Sequence, residues 1–215
     1  MLEIINLSKK YKSKFIIESF SIRMEENKFY FFLGKNGVGK TSLFKCILNL
    51  EEYTGTILYN NKPFNSCNND VFAIYDDTPL YTNLTGNQNI KIFTDKTHLD
   101  YLDNELVTMD LNKKVKYYSC GERKKLSIII AILLKPKFLI VDEISNGLDY
   151  DCMKWLQKNF KTIFKDSTII GAGHQFDFYE TLVDEVLVIN NNHVTKLHDI
   201  NDRKELKMLY EENFS

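Results

Sequence analysis

The sequence predicts an α/β fold with a mixed sheet at its core. Short runs of alternating apolar and polar residues fill positions 2–33, and two apolar strand-like runs lie further along the chain, at 71–75 and 138–141. Helical patterns separate these later runs, and strands that alternate with helices are typical of a parallel sheet covered by helices. The alternating N-terminal runs add antiparallel strands. A chain of 215 residues is long enough to bury one large core.

Composition argues against several classes of function. The chain has 28 basic and 29 acidic residues, so its formal charge of −1 gives no electrostatic case for a nucleic-acid partner. Its four cysteines include no C-x-x-C pair, which indicates neither a zinc site nor a disulfide framework and favours a reducing cytosol. The longest apolar stretch has seven residues, from Ile128 to Leu134, whereas a membrane-spanning helix needs roughly 20. We therefore expect any membrane-crossing partner to be another polypeptide.

The N-terminal segment is predicted to form antiparallel strands that lead into a central strand. Apolar positions alternate in the runs at 2–4, 15–17 and 20–22, and charged turns separate these runs. The central strand is the apolar run from Phe29 to Leu33. Tyr11 lies among these strands, where a tyrosine is more often a packing residue than a ligand contact.

A glycine-rich turn follows the central strand and precedes a helix-like run. Small residues in such a turn let backbone N–H groups close around phosphate oxygens, while the following helix directs its positive end at them. Lys40 would reach the terminal phosphates, the Thr41 hydroxyl would take a magnesium position, and Ser42 would bond a nearer phosphate. We interpret the turn as a phosphate-binding loop rather than a chance cluster of glycines. Its residues fit the spacing G-x-x-x-x-G-K-[ST]: Gly34, Lys35, Asn36, Gly37, Val38, Gly39, Lys40, Thr41 and Ser42.

The stretch between this loop and residue 119 carries one further candidate ligand. Residues 56–59 and 71–75 are predicted strands, and Asp76 and Asp77 follow the second strand directly. Carboxylates at the carboxyl end of a strand could face a metal ion or could cap the next turn, and the spacing does not decide between these. Residues 87–116 show helical periodicity in short pieces, so we predict a small helical insert there.

A second turn at Ser119, Cys120 and Gly121 opens a long helix. A Ser-x-Gly turn before a helix leaves N–H groups that can hold an anion, but the same turn also serves as an ordinary helix cap. Both interpretations stay open on the residues alone. The helix becomes wholly apolar at 128–134, which predicts that this part is buried.

Two adjacent acids, Asp142 and Glu143, follow the four apolar residues at 138–141. Successive side chains of a strand point to opposite sides, so we expect the two acids to have distinct roles. In a phosphate-loop protein the first acid on such a strand helps to hold magnesium. The second could polarise the attacking water as a general base. The alternative is a pair of solvated acids at a strand end.

The C-terminal third continues the alternation of helices and strands. A helix is predicted from about Asp151 to Phe164 and a strand at 167–171, which ends three residues before His174. A histidine immediately after such a strand can reach a phosphate or a water, although an isolated histidine is more often structural. A hairpin of 185–189 with 193–196 and a helix from Asn201 to about Asn213 complete the chain.

With these pieces in order, the sequence resembles the ATP-binding cassette (ABC) family, the nucleotide-binding subunits of ABC transporters. The run GKNGVGKTS resembles that family's Walker A motif, and FLIVDE resembles Walker B with its catalytic glutamate. The run YSCGERKKL discriminates better, because it resembles the LSGGQ signature and its basic continuation. SNGLD resembles the D-loop, and His174 stands where the switch histidine does. The similarity covers almost the whole chain.

The resemblance implies an ABC-type P-loop NTPase in one domain, residues 1–215. Its mixed core and N-terminal antiparallel β subdomain would take up about 1–75 and 121–215, and a helical subdomain would take up about 77–120. Tyr11 falls at the position of the aromatic residue that stacks on adenine, and Asp76 at the Q-loop position, where a carboxylate could still coordinate magnesium. Ser119, Gly121 and Glu122 correspond to the signature that binds the γ-phosphate of ATP held by the opposite subunit.

The implied mechanism is ATP hydrolysis in a head-to-tail dimer of two ABC subunits, identical or different. Lys40, Glu143 and His174 would be catalytic, and Thr41, Asp142 and Asp76 would hold Mg²⁺. A separate transmembrane permease would dock on the helical subdomain and keep the chain on the cytoplasmic face of the cell membrane. The pattern is closer to bacterial exporters of the peptide, antibiotic or immunity type than to importers. The alternative is a soluble ABC ATPase that acts on a cytosolic target.

Three departures from the family pattern stand out. The Q-loop glutamine is replaced by Asp76, which would alter the hydrogen bonding that links the ATP site to the permease. The first signature glycine is replaced by Cys120, which leaves Gly121 as the glycine of that turn. The stretch from 76 to 119 is short for the family, which predicts a trimmed helical subdomain.

Overall fold

The computed structural model describes residues 1–64, 70–75, 79–94, 106–197 and 206–214. Within these ranges the strands form two sheets, one of four strands and one of six. The strands are β1 (Leu2–Tyr11), β2 (Lys14–Met24), β3 (Phe29–Leu33), β4 (Thr54–Tyr59), β5 (Lys62–Pro63), β6 (Val71–Ile74), β7 (Phe138–Asp142), β8 (Thr168–Ala172), β9 (Glu185–Asn190) and β10 (His193–Lys196). The helices are α1 (Lys40–Ile47), α2 (Gly86–Phe93), α3 (Cys120–Leu134), α4 (Tyr150–Ile163), α5 (Phe176–Tyr179) and α6 (Leu206–Phe214).

The N-terminal sheet is antiparallel, with strand order β2-β1-β4-β5. The short apolar runs predicted at 15–17 and 20–22 are parts of the single strand β2. Ser19 separates them with a φ of 49°, and the pairing of β1 with β2 shifts register between Leu7 and Lys9. An extra residue in one strand reverses the inward and outward alternation that follows it, which explains why the sequence pattern is broken there.

The second sheet has the order β10-β9-β3-β8-β7-β6. Its strands pair in parallel except for β10, which is antiparallel to β9. The prediction of a mixed sheet with an antiparallel N-terminal part is confirmed. Because parallel strands end at the same edge, the segments that follow β3, β8 and β7 lie side by side. These segments contain the phosphate loop, His174 and Glu143.

The central strand β3 has an apolar core on both of its faces. Phe29, Phe31 and Leu33 belong to a cluster with the apolar residues of α3 and α4. Tyr30 and Phe32 belong to a second cluster with α1 and the antiparallel sheet. Successive strand side chains point to opposite faces, so five consecutive buried residues in β3 serve two cores. This burial on both sides fixes the loop that follows β3.

The helices agree with the sequence patterns to within a few residues. The helix expected at 151–164 is α4, and the helical insert expected at 87–116 contains α2 and a 3-10 turn at Val115–Tyr117. Residues 95–105 of that insert, and 201–205 of the predicted C-terminal helix, lie outside the described residues. No helix in the described part of the chain combines the length and the apolarity that crossing a bilayer requires. The predicted subdomain boundaries stay predictions.

Candidate functional site

The loop between β3 and α1 owes its shape to glycine. Gly37 has a φ of 77° and Gly39 a φ of 115°, which L side chains adopt at a cost. A Cβ atom at Gly39 would also collide with the side chain of Ile16 on β2. The antiparallel sheet therefore packs directly against the loop, and it leaves no room for a side chain at this position.

Lys40 is the first residue of α1, and its side chain turns back into the loop. Its Nζ donates to the carbonyl oxygens of Gly34 at 2.7 Å and Lys35 at 3.2 Å. Lys40 is buried, and burial lowers the pKa of its ammonium group, while the nearby carboxylates of Glu143 and Asp142 raise it. The loop therefore already holds a cation at the position where the sequence predicts the terminal phosphates.

The N-terminus of α1 opens into a cavity of about 330 Å³. Its N-cap residue is Gly39, and no side chain caps this helix end. Uncapped N–H groups at the positive end of a helix dipole favour an anion. The cavity is lined by Asn36, Gly37, Gly39, Lys40, Thr41, Ser42, Asp142 and Glu143, which come from the phosphate loop and from the end of β7.

Thr41 and Asp142 meet in this cavity. The Thr41 hydroxyl donates to Oδ2 of Asp142 at 2.6 Å, although the two residues are 101 positions apart. A hydroxyl and a carboxylate are the hard oxygen ligands that Mg²⁺ prefers. Among the described residues, no group of three or more His, Cys, Asp or Glu side chains could hold a metal. Mg²⁺ commonly takes one or two protein oxygens together with substrate phosphates and water, so the pair fits this ion.

Glu143 follows β7 in a left-handed backbone conformation, with a φ of 57°. Its N–H group donates to the carbonyl oxygen of Ala172 at 2.9 Å, and its carboxylate accepts from the N–H group of His174 at 3.3 Å. The His174 Nε2 atom lies 3.5 Å from Oε1 of Glu143 and contacts Oδ1 of Asn36. The structure thus brings the predicted general base, the predicted switch histidine and the phosphate loop together.

Tyr11 lies at the edge of the same site, where hydroxyl contacts position its ring. That hydroxyl donates to Oε2 of Glu51 at 2.5 Å and lies 3.2 Å from Oγ of Ser42. Nζ of Lys9 lies 4.7 Å from the centre of the Tyr11 ring. Burial raises the pKa of Glu51, but hydrogen bonds from Tyr11 and Lys9 outweigh burial and hold that pKa below its usual value. Nearly half of the Tyr11 surface remains exposed, so the held ring is accessible.

The turn at residues 119–122 differs from the phosphate loop. Ser119 caps α3: its Oγ accepts from the N–H group of Glu122 at 3.1 Å, and Oε2 of Glu122 accepts from the N–H group of Ser119 at 2.7 Å. This hydrogen bonding lowers the pKa of Glu122. Ser119 and Cys120 are exposed. None of the four residues is among the described residues that line the cavity at Lys40.

Gly121 has a packing role. A Cβ atom at this position would collide with the carbonyl oxygen of Gly147, in the turn that follows Glu143. Gly147 has a φ of 77°, so both glycines are needed where these two turns touch. The ordinary cap and the anion-binding turn, which the sequence left as alternatives, are compatible, because the cap is made and Ser119 is still exposed.

The comparison with family models decides the assignment. The model described as ABC transporter matches residues 17–146, which is more than half of the 215-residue chain. The chain belongs to the ABC transporter family. The resemblance to that family is confirmed, and this chain is an ATP-binding and ATP-hydrolysing subunit of the ABC type.

Relatives in the ABC family include transport proteins of different kinds. The chain is 32% identical over 209 residues to the uncharacterized ABC transporter ATP-binding protein YdbJ of Bacillus subtilis, covering 90% of this chain and 68% of YdbJ. It is 30% identical over 194 residues to the lantibiotic transport ATP-binding protein SrtF of Streptococcus pyogenes, covering 86% and 84%. It is 27% identical over 214 residues to the spermidine/putrescine import ATP-binding protein PotA of Mycoplasma mycoides, covering 92% and 61%.

The ABC fold is also shown by comparison with solved structures. A structure titled as the ATP binding subunit of an ABC transporter superposes with a TM-score of 0.84 at 23% identity, and covers 99% of this chain and 98% of that one. The cbiO1 protein from Clostridium perfringens, titled as part of the ABC transporter complex cbiONQ, gives a TM-score of 0.72 at 22% identity, with coverage of 98% and 93%.

Sequence reasoning about this ABC subunit missed two residues that contact the site. Glu51 holds Tyr11, and Lys124 of α3 donates to the backbone of Glu143 at 3.1 Å. Glu51 stands in no recognisable motif, and Lys124 belongs to the basic continuation of the signature, where nothing marks it as a contact of Glu143. Each acts on a residue that is distant in sequence, so spacing carried no signal for either contact. Asp76, the predicted Q-loop residue and third metal ligand, lies outside the described residues.

Proposed function

We propose that this subunit hydrolyses ATP at two composite sites in a head-to-tail dimer and thereby drives a separate permease. The observation that carries the proposal is the contrast between two turns. The phosphate loop, Asp142 and Glu143 line a cavity, whereas the turn at 119–122, with Ser119 and Cys120 exposed, contributes nothing to that cavity among its described lining residues. A second subunit would place its own turn over this cavity.

The phosphate loop and the acids of one subunit would bind the ATP phosphates. The Lys40 ammonium group would exchange the carbonyl oxygens of Gly34 and Lys35 for phosphate oxygens, since a charged partner makes the stronger hydrogen bond. Thr41 and Asp142 would hold Mg²⁺, with Asp76 as a proposed further ligand. Bound there, the ion would neutralise charge on the phosphate oxygens.

Glu143 and His174 would act on the attacking water. The Glu143 carboxylate would accept a hydrogen bond from that water and orient it, which requires the carboxylate to be held in one direction. The N–H group of His174 already bonds to this carboxylate at 3.3 Å. The His174 ring would hold the γ-phosphate and the water, together with the Asn36 side chain that it contacts.

The opposite subunit would supply the remaining contacts to the γ-phosphate. Ser119 keeps its hydroxyl hydrogen available after its oxygen has capped α3, because a hydroxyl both accepts and donates. Gly121 would let the phosphate approach the backbone, and Glu122 would hold Ser119 in place through the reciprocal cap. ATP would thus join the two subunits, and hydrolysis would release them.

The transport role is proposed as export of the peptide, antibiotic or immunity type. The similarity to SrtF, named for lantibiotic transport, supports this, and the similarity to PotA, named for import, is lower in identity and covers less of the relative. The permease would hold the subunit at the inner face of the membrane. Cells that express this subunit with its permease should then survive a lantibiotic better than cells that carry the Lys40→Met variant, and equal survival would contradict the export assignment.

The hydrolytic mechanism is tested with Glu143→Gln. This variant keeps the size of the side chain but removes the carboxylate, so turnover should fall on the order of 100-fold or more while ATP binding is retained. Size-exclusion chromatography with saturating Mg·ATP should show a stable dimer, because the step that separates the subunits is blocked. Undiminished hydrolysis, or a monomer under these conditions, would overturn the proposal.

A further inference from the structure

The buried lysine of α3, Lys124, connects the helix that follows the signature turn to the ends of two neighbouring strands, one of which carries Glu143. It follows Glu122 by two residues, and it is 3% exposed. Its Nζ atom donates to the carbonyl oxygen of Tyr75 at 2.9 Å and to that of Glu143 at 3.1 Å. Tyr75 follows β6 and Glu143 follows β7, which are neighbouring parallel strands. One ammonium group thus connects α3 to the ends of β6 and β7.

Burial of this charge requires a compensating interaction. An ammonium group out of water is unfavourable unless its donors are used, and backbone carbonyl oxygens at strand ends are acceptors for it. A methionine of similar length would pack in the same space without that penalty. The apolar neighbours of Lys124 on α3, at 128–134, therefore do not explain its charge, and the carbonyl oxygens of Tyr75 and Glu143 are acceptors for it.

The backbone of Glu143 has a strained conformation that neighbouring hydrogen bonds must stabilise. Its φ of 57° is a conformation that non-glycine residues adopt at a cost of about 1 kcal/mol or more. The N–H group of Glu143 is bonded to Ala172, and its carbonyl oxygen accepts from both Lys124 and the N–H group of Asn146, at 3.2 Å. Hydrogen bonds on both sides of the residue fix the direction in which its side chain leaves the backbone.

We infer that Lys124 is a positioning residue that orients Glu143 for hydrolysis and links its backbone to the signature helix. The inference rests on the proposed role of Glu143 as the base. Because α3 begins at the turn with Ser119, a shift of this helix when the turn contacts ATP would move the Lys124 ammonium group, and with it the carbonyl oxygen of Glu143. Binding at the signature of one subunit would thereby reach the Glu143 of the same subunit.

The test compares Lys124→Met with Lys124→Gln. The two replacements are similar in length, but only glutamine keeps N–H donors for the carbonyl oxygens. We expect Lys124→Met to lower the kcat for ATP between about tenfold and a hundredfold, the size of effect that follows from misplacing a catalytic group. The Kd for ATP should be unchanged, and Lys124→Gln should recover a large part of the lost kcat. Equal kcat values for both variants would overturn the inference.

A double-mutant cycle separates positioning from general damage. In the Glu143→Gln background the carboxylate is already absent, so adding Lys124→Met should cause no further loss in single-turnover hydrolysis. A merely structural role predicts that the two losses multiply. Lys125→Met is the matched control for stability, because Lys125 is equally buried on α3 but bonds to Asp149 and Thr108 instead.

The outcomes distinguish this inference from the proposed function. If Glu143→Gln itself leaves hydrolysis intact, the proposed function fails. If Glu143→Gln abolishes hydrolysis but Lys124→Met keeps the wild-type kcat, the proposed function stands and the inference is wrong. If Lys124→Met does not fold, the test uses the kcat of Lys124→Gln and the double-mutant cycle of Lys124→Gln with Glu143→Gln. Losses that multiply in that cycle would overturn the inference.

Discussion

The N-termini of α1 and α3 are both predicted to bind phosphate, yet they are built differently. The α1 end has no side-chain cap and opens into a cavity that its own chain lines. The α3 end is closed by a reciprocal cap between Ser119 and Glu122, and its Ser119 is exposed. A helix end that binds phosphate in a cavity of its own subunit can leave its N–H groups uncapped. A helix end that meets the phosphate only when a second subunit docks needs a cap that keeps it stable until then.

This difference explains which parts of the site are complete in one subunit. The α1 half of the site consists of the phosphate loop with Asp142, Glu143 and His174. It already contains a positioned lysine, a hydroxyl–carboxylate pair and the Glu143–His174 contact. The α3 half, the turn at 119–122, contributes the exposed hydroxyl of Ser119 and the glycine Gly121. Substitutions in the α1 half should therefore affect ATP binding and chemistry, and those in the α3 half should affect the step that needs two subunits.

The largest effect is expected for Lys40→Met. The substitution removes the cation at the phosphate position while an apolar side chain of similar length fills its space. Turnover should fall about 100- to 1,000-fold, as for the loss of a group that stabilises charge in the transition state. A steady-state assay of phosphate release measures this, with thermal unfolding as the control for folding. A fall of less than tenfold would contradict the role assigned to the α1 half.

Gly121→Ala should have the next largest effect, and it affects the α3 half. The new Cβ atom would collide with the carbonyl oxygen of Gly147, so the signature turn must move away from that oxygen. We expect kcat to fall at least about tenfold. ATP binding to the monomer, measured with a fluorescent nucleotide, should be unchanged. Cys120→Ala is the matched control, because its side chain is exposed at the adjacent position. Weakened ATP binding by Gly121→Ala would remove the distinction between the halves.

Thr41→Val tests the metal contact of the α1 half. Valine has the shape of threonine but lacks the hydroxyl group that bonds to Asp142. The Mg²⁺ concentration for half-maximal hydrolysis should rise roughly tenfold or more, because lost ligand contacts weaken metal sites by at least that factor. A Mg²⁺ titration at fixed ATP gives the value. An unchanged titration would show that this hydroxyl does not take part in metal binding.

The smallest effect is expected for Glu51→Gln, at the edge of the α1 half. The substitution weakens the hydrogen bond that holds the Tyr11 hydroxyl, and it removes the carboxylate that pairs with Lys9. The KM for ATP should rise roughly fivefold with kcat unchanged, as expected for about 1 kcal/mol of binding free energy. Glu52→Gln, its exposed neighbour, should behave as wild type. A fall in kcat instead would show that Glu51 acts on the chemistry rather than on the ring.

Much of the α1 half could be predicted from the sequence because its residues are local. The loop from Gly34 to Ser42 is contiguous, and Asp142 and Glu143 end an apolar strand, so spacing and strand direction were enough. The pattern at 2–24 was harder, because the left-handed residues Asn6 and Ser19 interrupt the alternation within β1 and β2.

The contacts that depend on tertiary structure could not be predicted. Glu51 reaches Tyr11 across 40 positions, and Lys124 reaches Tyr75 across 49. A buried lysine in a basic run resembles any solvated lysine until the fold shows what surrounds it. The packing of Gly121 against Gly147 likewise depends on how two turns meet, which no local pattern encodes.

The central claim is that each ATP site combines the α1 half of one subunit with the α3 half of another. Lys40→Met inactivates the first half and Ser119→Arg the second, so each variant alone should be inactive. Mixing the two variants forms heterodimers in which one site has both halves intact, and ATP hydrolysis should reappear. A chain that carries both substitutions should restore nothing when it is mixed with either single variant. A mixture no more active than its separate components would contradict the shared site.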